Sequence, residues 1–362
     1  MKKTRRTIFA LLLVLFFLYL LAWPVPVEPQ AWTPGALPKL EGDYAVNDKL
    51  AAAERIGAGV GVGPETVSVD AQGRIYGGYA DGRIVRFAPD GSRPEMFAQT
   101  GGRPAGHRFD AAGNLIVADA SKGLLSISPD GKITTLATQQ GGVPFGLTDD
   151  VEPGADGDYY FSDASSKHSL AEVTLDFMEH GAHGRLLVYD PRTRETRLLL
   201  DKLHFANGVA VAPDASFVLV AETAEYRVRR FWLAGPKAGQ SDVFIENLPG
   251  FPDGISSNGR GIFWLAIYGP RNAQLDGLLP RPFLRKLLLR LHLPDPAPRR
   301  YAMVLGLDAE GRVVHNLQDP SSGAYAPVTA VQEHDGMLYL GSIKENSIAR
   351  LPLAQSEAKG AR

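Results

Sequence analysis

From about residue 50 onward the chain alternates short apolar runs with turns rich in Asp, Asn, Gly and Pro. Period-two alternation, as at Arg83, Val85 and Phe87 and again at Leu186 and Val188, predicts half-buried strands, and turns such as Pro89-Asp90-Gly91 and Pro129-Asp130-Gly131 separate them. The unit of strand, turn, strand, turn and strand repeats. Thr66 to Tyr76 matches Arg108 to Val117, and the pattern returns at Val209 to Val220, Ile255 to Leu265 and Val331 to Leu340, with a looser copy at Val151 to Phe161. Antiparallel units of roughly 40 to 50 residues are the length of propeller blades, which solve the exposed-edge problem by closing in a circle. The expectation is an all-β, six-bladed β-propeller. The last unit lacks a fourth strand after Leu351, and Glu54 to Ile56, just ahead of the first unit, is placed to supply it. A β-sandwich is the other architecture such strands allow, but it asks for longer Greek-key connections than these turns offer.

Two stretches break the rhythm. Ser165 to His183 carries helical spacing at Leu170, Val173, Phe177 and Met178, and is expected to form a lid over one face. Pro280 to Pro298 contains Pro282 followed by Phe283, Leu284, Leu287, Leu288 and Leu291 with Arg285, Lys286 and Arg290. That is a basic amphipathic helix over 282–292, suited either to a membrane surface or to packing on the propeller with its cations in water.

The amino terminus has a different pattern. Lys2, Lys3, Arg5 and Arg6 precede an almost unbroken apolar run from Ile8 to Trp23. At about 1.5 Å per helical residue the run nearly spans a hydrocarbon core of about 30 Å, and the basic cluster should stay in the cytoplasm. A cleaved signal peptide also begins this way, but Trp and prolines, with no small-x-small site, occupy Ala22 to Val27, which favours a retained anchor. The expected organisation is a basic tip and transmembrane anchor (1–27), a stiff Pro-rich stalk (28–50), the propeller (51–354) and a tail (355–362), with the propeller on the periplasmic or extracytoplasmic side.

Composition adds limits. The 362 residues carry a formal charge of only -2, which points to no nucleic-acid partner. There is no cysteine, so thiol catalysis, disulfides and thiolate metal sites are excluded, and oxygen and imidazole remain as metal ligands. No Gly-x-Ser-x-Gly elbow is present, which argues against a serine hydrolase.

Aligning the repeats by first strand puts Glu65, Ala105, Asp149, Asn207, Asp253 and Thr329 at one structural position, where a propeller would face them around its axis. Each alone is also an ordinary strand-start turn residue; the coincidence in register is what makes a site of them. Three carboxylates and an amide meeting at one end of a channel would repel without a cation, and hard oxygen donors favour Ca2+, with magnesium or manganese requiring tighter geometry. Glu65, Asp149, Asn207 and Asp253 are the expected metal ligands.

Gly63-Pro64-Glu65, Gly184-Arg185-Leu186-Leu187-Val188-Tyr189-Asp190, Phe205-Ala206-Asn207-Gly208-Val209, Leu248-Pro249-Gly250-Phe251-Pro252-Asp253-Gly254 and Gln332-Glu333-His334-Asp335-Gly336 resemble the strictosidine synthase-like family, in its adipocyte plasma membrane-associated branch. The resemblance covers nearly the whole chain. It implies a six-bladed propeller related to paraoxonases, gluconolactonases and senescence marker protein, and a calcium-dependent lactonase or arylesterase. It puts the family's metal positions on Glu65, Asn207 and Asp253. At the second-motif position Asp149 followed by Asp150 stands where Asn-Asp is usual, adding a negative charge. Thr329 stands where true strictosidine synthases place a catalytic glutamate, which argues against alkaloid-forming condensation.

The expected chemistry is hydrolysis of a small-molecule ester or lactone at the metal. Asp253 is the first candidate to ligate and to activate water, followed by Asp150 and Asp149. His107, two residues past its blade's ring position, is a further candidate, though a half-buried strand histidine reads the same way. The reading from another class is a non-catalytic, membrane-anchored propeller with structural calcium that binds a small ligand or a protein.

Overall fold

The computed structural model describes residues 2–293 and 299–354; the tail 355–362 and part of the second interruption, 294–298, lie outside the described residues. Six four-stranded antiparallel sheets are arranged as blades, their innermost strands being Val67–Val69, Pro104–Phe109, Thr148–Pro153, Ala206–Val211, Gly250–Ser257 and Ala330–His334. Each sheet runs outward in sequence order except the last. There the outer strand is Glu54–Ile56, paired antiparallel with Ile348–Pro352 in the register Glu54 to Arg350, Arg55 to Ala349 and Ile56 to Ile348. The strand borrowed from ahead of the first blade closes the ring, as the sequence requires.

The repeat has a local cause. Asp70 Oδ1 accepts from the backbone amides of Gln72 and Arg74, Asp110 Oδ1 from those of Ala112 and Asn114, and Asp308 Oδ1 from those of Glu310 and Arg312. Each turn then passes through a glycine at positive φ, namely Gly73, Gly113 and Gly311, a conformation that glycine adopts without a Cβ penalty. Second strands such as Leu115–Asp119 and Phe217–Glu222 are buried throughout, whereas outer strands such as Ile133–Ala137 are partly exposed, so the core lies between neighbouring blades.

Near the axis the inner strands crowd together, and glycine follows the ring residue in three blades. A Cβ on Gly208 would stand 2.5 Å from the Asp253 carbonyl oxygen, and one on Gly254 would stand 2.6 Å from that of Thr329. Replacing Gly208 with alanine should therefore cost about 3 kcal/mol, at the upper end for overpacking, measurable as a lowered denaturant midpoint at unchanged m.

Both interruptions are helical. The first forms the helix Val173–Glu179, and the second contains Pro282–Arg290, preceded outside the expected bounds by Ala273–Leu278, a helix that the sequence did not announce. Helix Lys2–Ala22 is long and apolar enough to cross a membrane, and none of it is buried. The Pro-rich segment after it has no regular element before the short helical turns Gly42–Tyr44 and Lys49–Ala52, and it is fastened along the body rather than standing free as a stalk. Gln30 N donates to Glu179 O at 2.8 Å, Trp32 N to Leu279 O at 3.2 Å, and Arg271 Nη2 to Gly35 O at 2.8 Å. The segment thus straps the two helical interruptions together.

Candidate axial site

The ring residues are aimed by irregularities in the inner strands. Strand pairing skips between Pro104 and Gly106, Thr148 and Val151, Ala206 and Val209, and Pro252 and Ile255. Ala105, Asp149, Asn207 and Asp253 all fall in the skipped stretches, and such bulges re-aim a side chain out of the regular pleat. Glu65 stands two residues before its strand, Val67–Val69.

Glu65, Asp149, Asn207 and Asp253 line one cavity of about 460 Å³ together with Arg103. They form its polar floor. The upper wall is largely apolar, with Val173 and Phe177 from the first interruption, Leu275 and Leu279 from the helix Ala273–Leu278 and its C-cap, and Phe205 and Phe251 from the blades. Arg103, which the sequence reading passed over, donates to Glu65 Oε2 from Nε at 2.9 Å and Nη2 at 2.6 Å, and to the Gly63 carbonyl at 2.9 Å.

Burial pushes the Asp149 carboxyl well above the usual range, and the Glu65 and Asp253 charges push it further. The Asp253 carboxyl is raised in the same way, first by burial and then by Glu65, while the Asn207 amide pulls it partly back. Glu65, Asp149 and Asp253 against Arg103 leave two negative charges at the ring when all are ionised, and Arg285, which also lines the cavity, brings its total to one, an excess that a cation would balance. The donors are oxygens only, and that chemistry fits calcium. Two other groups of ligand-type side chains bring one donor atom each within 4.8 Å of one another, His168 with Glu179 and His183, and His180 with His204 and Glu225. The axial carboxylates are more widely spaced, with Glu65 drawn toward Arg103, so closing on an ion requires them to move inward.

The remaining candidates lie elsewhere. Asp150 does not line the cavity: its Oδ1 accepts from Val151 N at 2.9 Å and its Oδ2 from Val209 N at 3.0 Å, so the carboxylate fastens blade three to blade four. Asp150 is thus bound to backbone, and the charge added at the second-motif position is that of Asp149, which lines the cavity. His107 is fully buried rather than half-buried, with Nδ1 2.8 Å from Ser68 Oγ; burial, aided by Arg108, lowers its pKa to about 3, and it too lies off the cavity. Thr329 Oγ1 donates to the Glu65 carbonyl at 3.0 Å and seals the seam between the last blade and the first, and Ala105 is buried.

A closed six-bladed propeller with an acidic axial floor under an apolar roof defines the class. Family profiles described as strictosidine synthase and as strictosidine synthase-like, N-terminal, match residues 149–236 and 42–87. The rat (Rattus norvegicus) adipocyte plasma membrane-associated protein is 36% identical over 351 residues, covering 91% of this chain and 93% of that protein. The strictosidine synthase-like 7 protein of Arabidopsis thaliana is 36% identical over 347 residues, covering 93% and 91%. The chain belongs to the strictosidine synthase-like family. Among solved structures, a gluconolactonase from Xanthomonas campestris superposes with a TM-score of 0.61 at 17% identity, covering 91% of this chain and 99% of that one. A calcium-binding regucalcin from Agrobacterium tumefaciens superposes with a TM-score of 0.56 at 15% identity, covering 82% and 90%. These two likenesses are of fold.

Proposed function

We propose that the protein is a membrane-anchored, calcium-dependent hydrolase of lactones or of aryl and carboxylic esters with apolar substituents. The observation that carries this reading is the juxtaposition of a floor of converging side-chain oxygens, acidic in excess, with an apolar roof in one cavity. Glu65, Asp149, Asn207 and Asp253 would hold the cation. When bound, it supplies a Lewis acid for the substrate carbonyl oxygen. Arg103 holds Glu65 in place and adds positive charge beside the reacting carbonyl. Asp253, with Asp149 next, is placed to take a proton from the attacking water, since burial and neighbouring charge make both better bases than an exposed aspartate. Val173 and Phe177 would cover the acyl or aryl portion and exclude water.

The anchor is helix Lys2–Ala22, with its basic tip cytoplasmic and the propeller on the other side. Helix Pro282–Arg290 supports lipid contact, because its two arginines are buried and its Lys286 is paired with Glu28. Arg285 is buried against the Met178 and Leu279 carbonyls, and Arg290 donates to the Leu20 and Trp23 carbonyls, while Phe283, Leu284, Leu291 and Leu293 are exposed. A helix facing water would reverse that arrangement.

The test is a screen of small lactones and aryl esters such as phenyl acetate against the soluble body from about Ala31 onward. Turnover that disappears with chelator and returns with calcium is expected. Chelator-induced unfolding without turnover on any substrate would leave a binding propeller with structural calcium.

A further inference from the structure

The lid helix ends in a second cluster with different chemistry. His168 Nε2 lies 2.8 Å from Glu179 Oε2, His183 Nε2 lies 3.5 Å from Glu179 Oε1, and the three donor atoms all fall within 4.8 Å of one another. The two imidazole planes are inclined at 68° with centroids 6.0 Å apart, so their ring nitrogens converge on the carboxylate rather than stacking. Tetrahedral ligands at about 2.0–2.1 Å from a zinc ion stand about 3.3 Å from one another. The two nitrogen-to-carboxylate separations lie within about half an ångström of that value, and the two nitrogens, within 4.8 Å of each other, are near enough to close on one ion.

The surroundings add a second observation. Asp176, one turn before Glu179, is 2% exposed, and its Oδ2 has no hydrogen-bond partner although both His168 and His183 act on its charge. His168 and Glu179 are themselves 4% and 3% exposed. A Cβ on Gly181 would collide with the His183 ring, so the glycine leaves that imidazole its position. Lys167 Nζ holds both Glu179 oxygens, at 2.6 and 2.7 Å, but its side chain is 41% exposed and can swing into solvent when a cation replaces it.

We infer that His168, Glu179 and His183 form a zinc-class metal site, distinct in position and ligand chemistry from the axial oxygens, with Asp176 in reserve as a fourth ligand or as the acceptor that orients an imidazole. Two imidazole nitrogens and one carboxylate suit a borderline cation such as zinc and not calcium. To ligate, each imidazole presents Nε2 as a lone pair and carries its proton on Nδ1. The ion would join the start of the interruption at His168, the end of the lid helix at Glu179 and the return into blade three at His183. Val173, Thr174, Phe177 and Met178 on that helix line the axial cavity, and the Glu179 carbonyl accepts from Gln30 of the strap, so the site is a clasp on the cavity wall. The neighbouring group of His180, His204 and Glu225 is less suited. Its two rings stack at 4.8 Å and 28°, so their in-plane lone pairs run side by side, and Arg227 already neutralises Glu225.

The experiment uses the full chain in detergent, stripped with chelator and titrated with cobalt(II) as a spectroscopic stand-in for zinc, in the presence of saturating calcium. One cobalt per chain should bind with the visible absorption of a four-coordinate site and be displaced by zinc. His183→Ala, at a partly exposed position, should weaken uptake at least about 100-fold, while Asp253→Asn and His204→Ala should leave it intact. X-ray absorption of the zinc-loaded wild-type protein gives a reading that depends on no variant, and two imidazole nitrogens are expected in the first shell. No stoichiometric uptake, an oxygen-only shell, or uptake that His204→Ala rather than His183→Ala abolishes would each overturn the assignment.

Discussion

Replacing Asp253 with asparagine is expected to lower turnover about 10²- to 10³-fold, the scale of losing one preorganised charge-stabilising group, and to stabilise the calcium-free protein at neutral pH. The two effects have one cause. In the calcium-free fold Asp253 is buried beside Glu65 and Asn207, and both burial and the Glu65 charge oppose its ionisation. Removing the charge relieves that conflict. With calcium the balance inverts, because the variant has lost a ligand and gains less from the ion. Steady-state kinetics on the best lactone, with thermal melts in chelator and in calcium, tests both halves. Unchanged turnover, or a variant that melts below the parent in chelator, would contradict the account.

Calcium should raise the melting temperature of the wild-type protein more at pH 8 than at pH 5. Burial and mutual repulsion raise the folded-state pKa of Asp149 and Asp253 above that of an unfolded aspartate, about 3.9. Without the ion these groups cost nothing below that value, where both states are protonated. The cost grows as pH rises through it toward the raised folded-state values, because the unfolded chain ionises first. Calcium needs the ionised carboxylates, so protons compete with it in acid and the competition fades toward pH 8. At a calcium concentration about 100-fold above Kd the gain is about 2.7 kcal/mol. Differential scanning calorimetry at the two pH values measures it; an equal or larger increment at pH 5 would show that these carboxylates do not hold the ion.

The propeller was legible because its determinants recur. Asp-x-x-Gly turns of the Asp70, Asp110 and Asp308 kind mark the ends of paired strands, and Glu54 to Ile56 could be assigned to the last blade because that unit was one strand short. The alignment of Glu65, Asp149, Asn207 and Asp253 followed from the same register, and the glycines after Asn207 and Asp253 carry a signal of their own, since only a residue without Cβ fits where inner strands converge. What the sequence hid depends on partners distant in the chain. Arg103 belongs to the axial floor through Glu65, on the neighbouring blade, and nothing near Arg103 announces this. Asp150 looked like a further axial charge, but the bulge that turns Asp149 inward sends Asp150 to the Val209 amide. The lid histidines were hidden likewise, because His168, Glu179 and His183 meet only after the helix between them has folded back.

A crystal structure of the soluble body grown in calcium tests the central claim most directly. The account predicts an anomalous peak on the propeller axis with side-chain oxygens of Glu65, Asp149, Asn207 and Asp253 drawn in to about 2.3–2.6 Å. Those four groups at their present wide spacing around solvent alone, at saturating calcium, would contradict it.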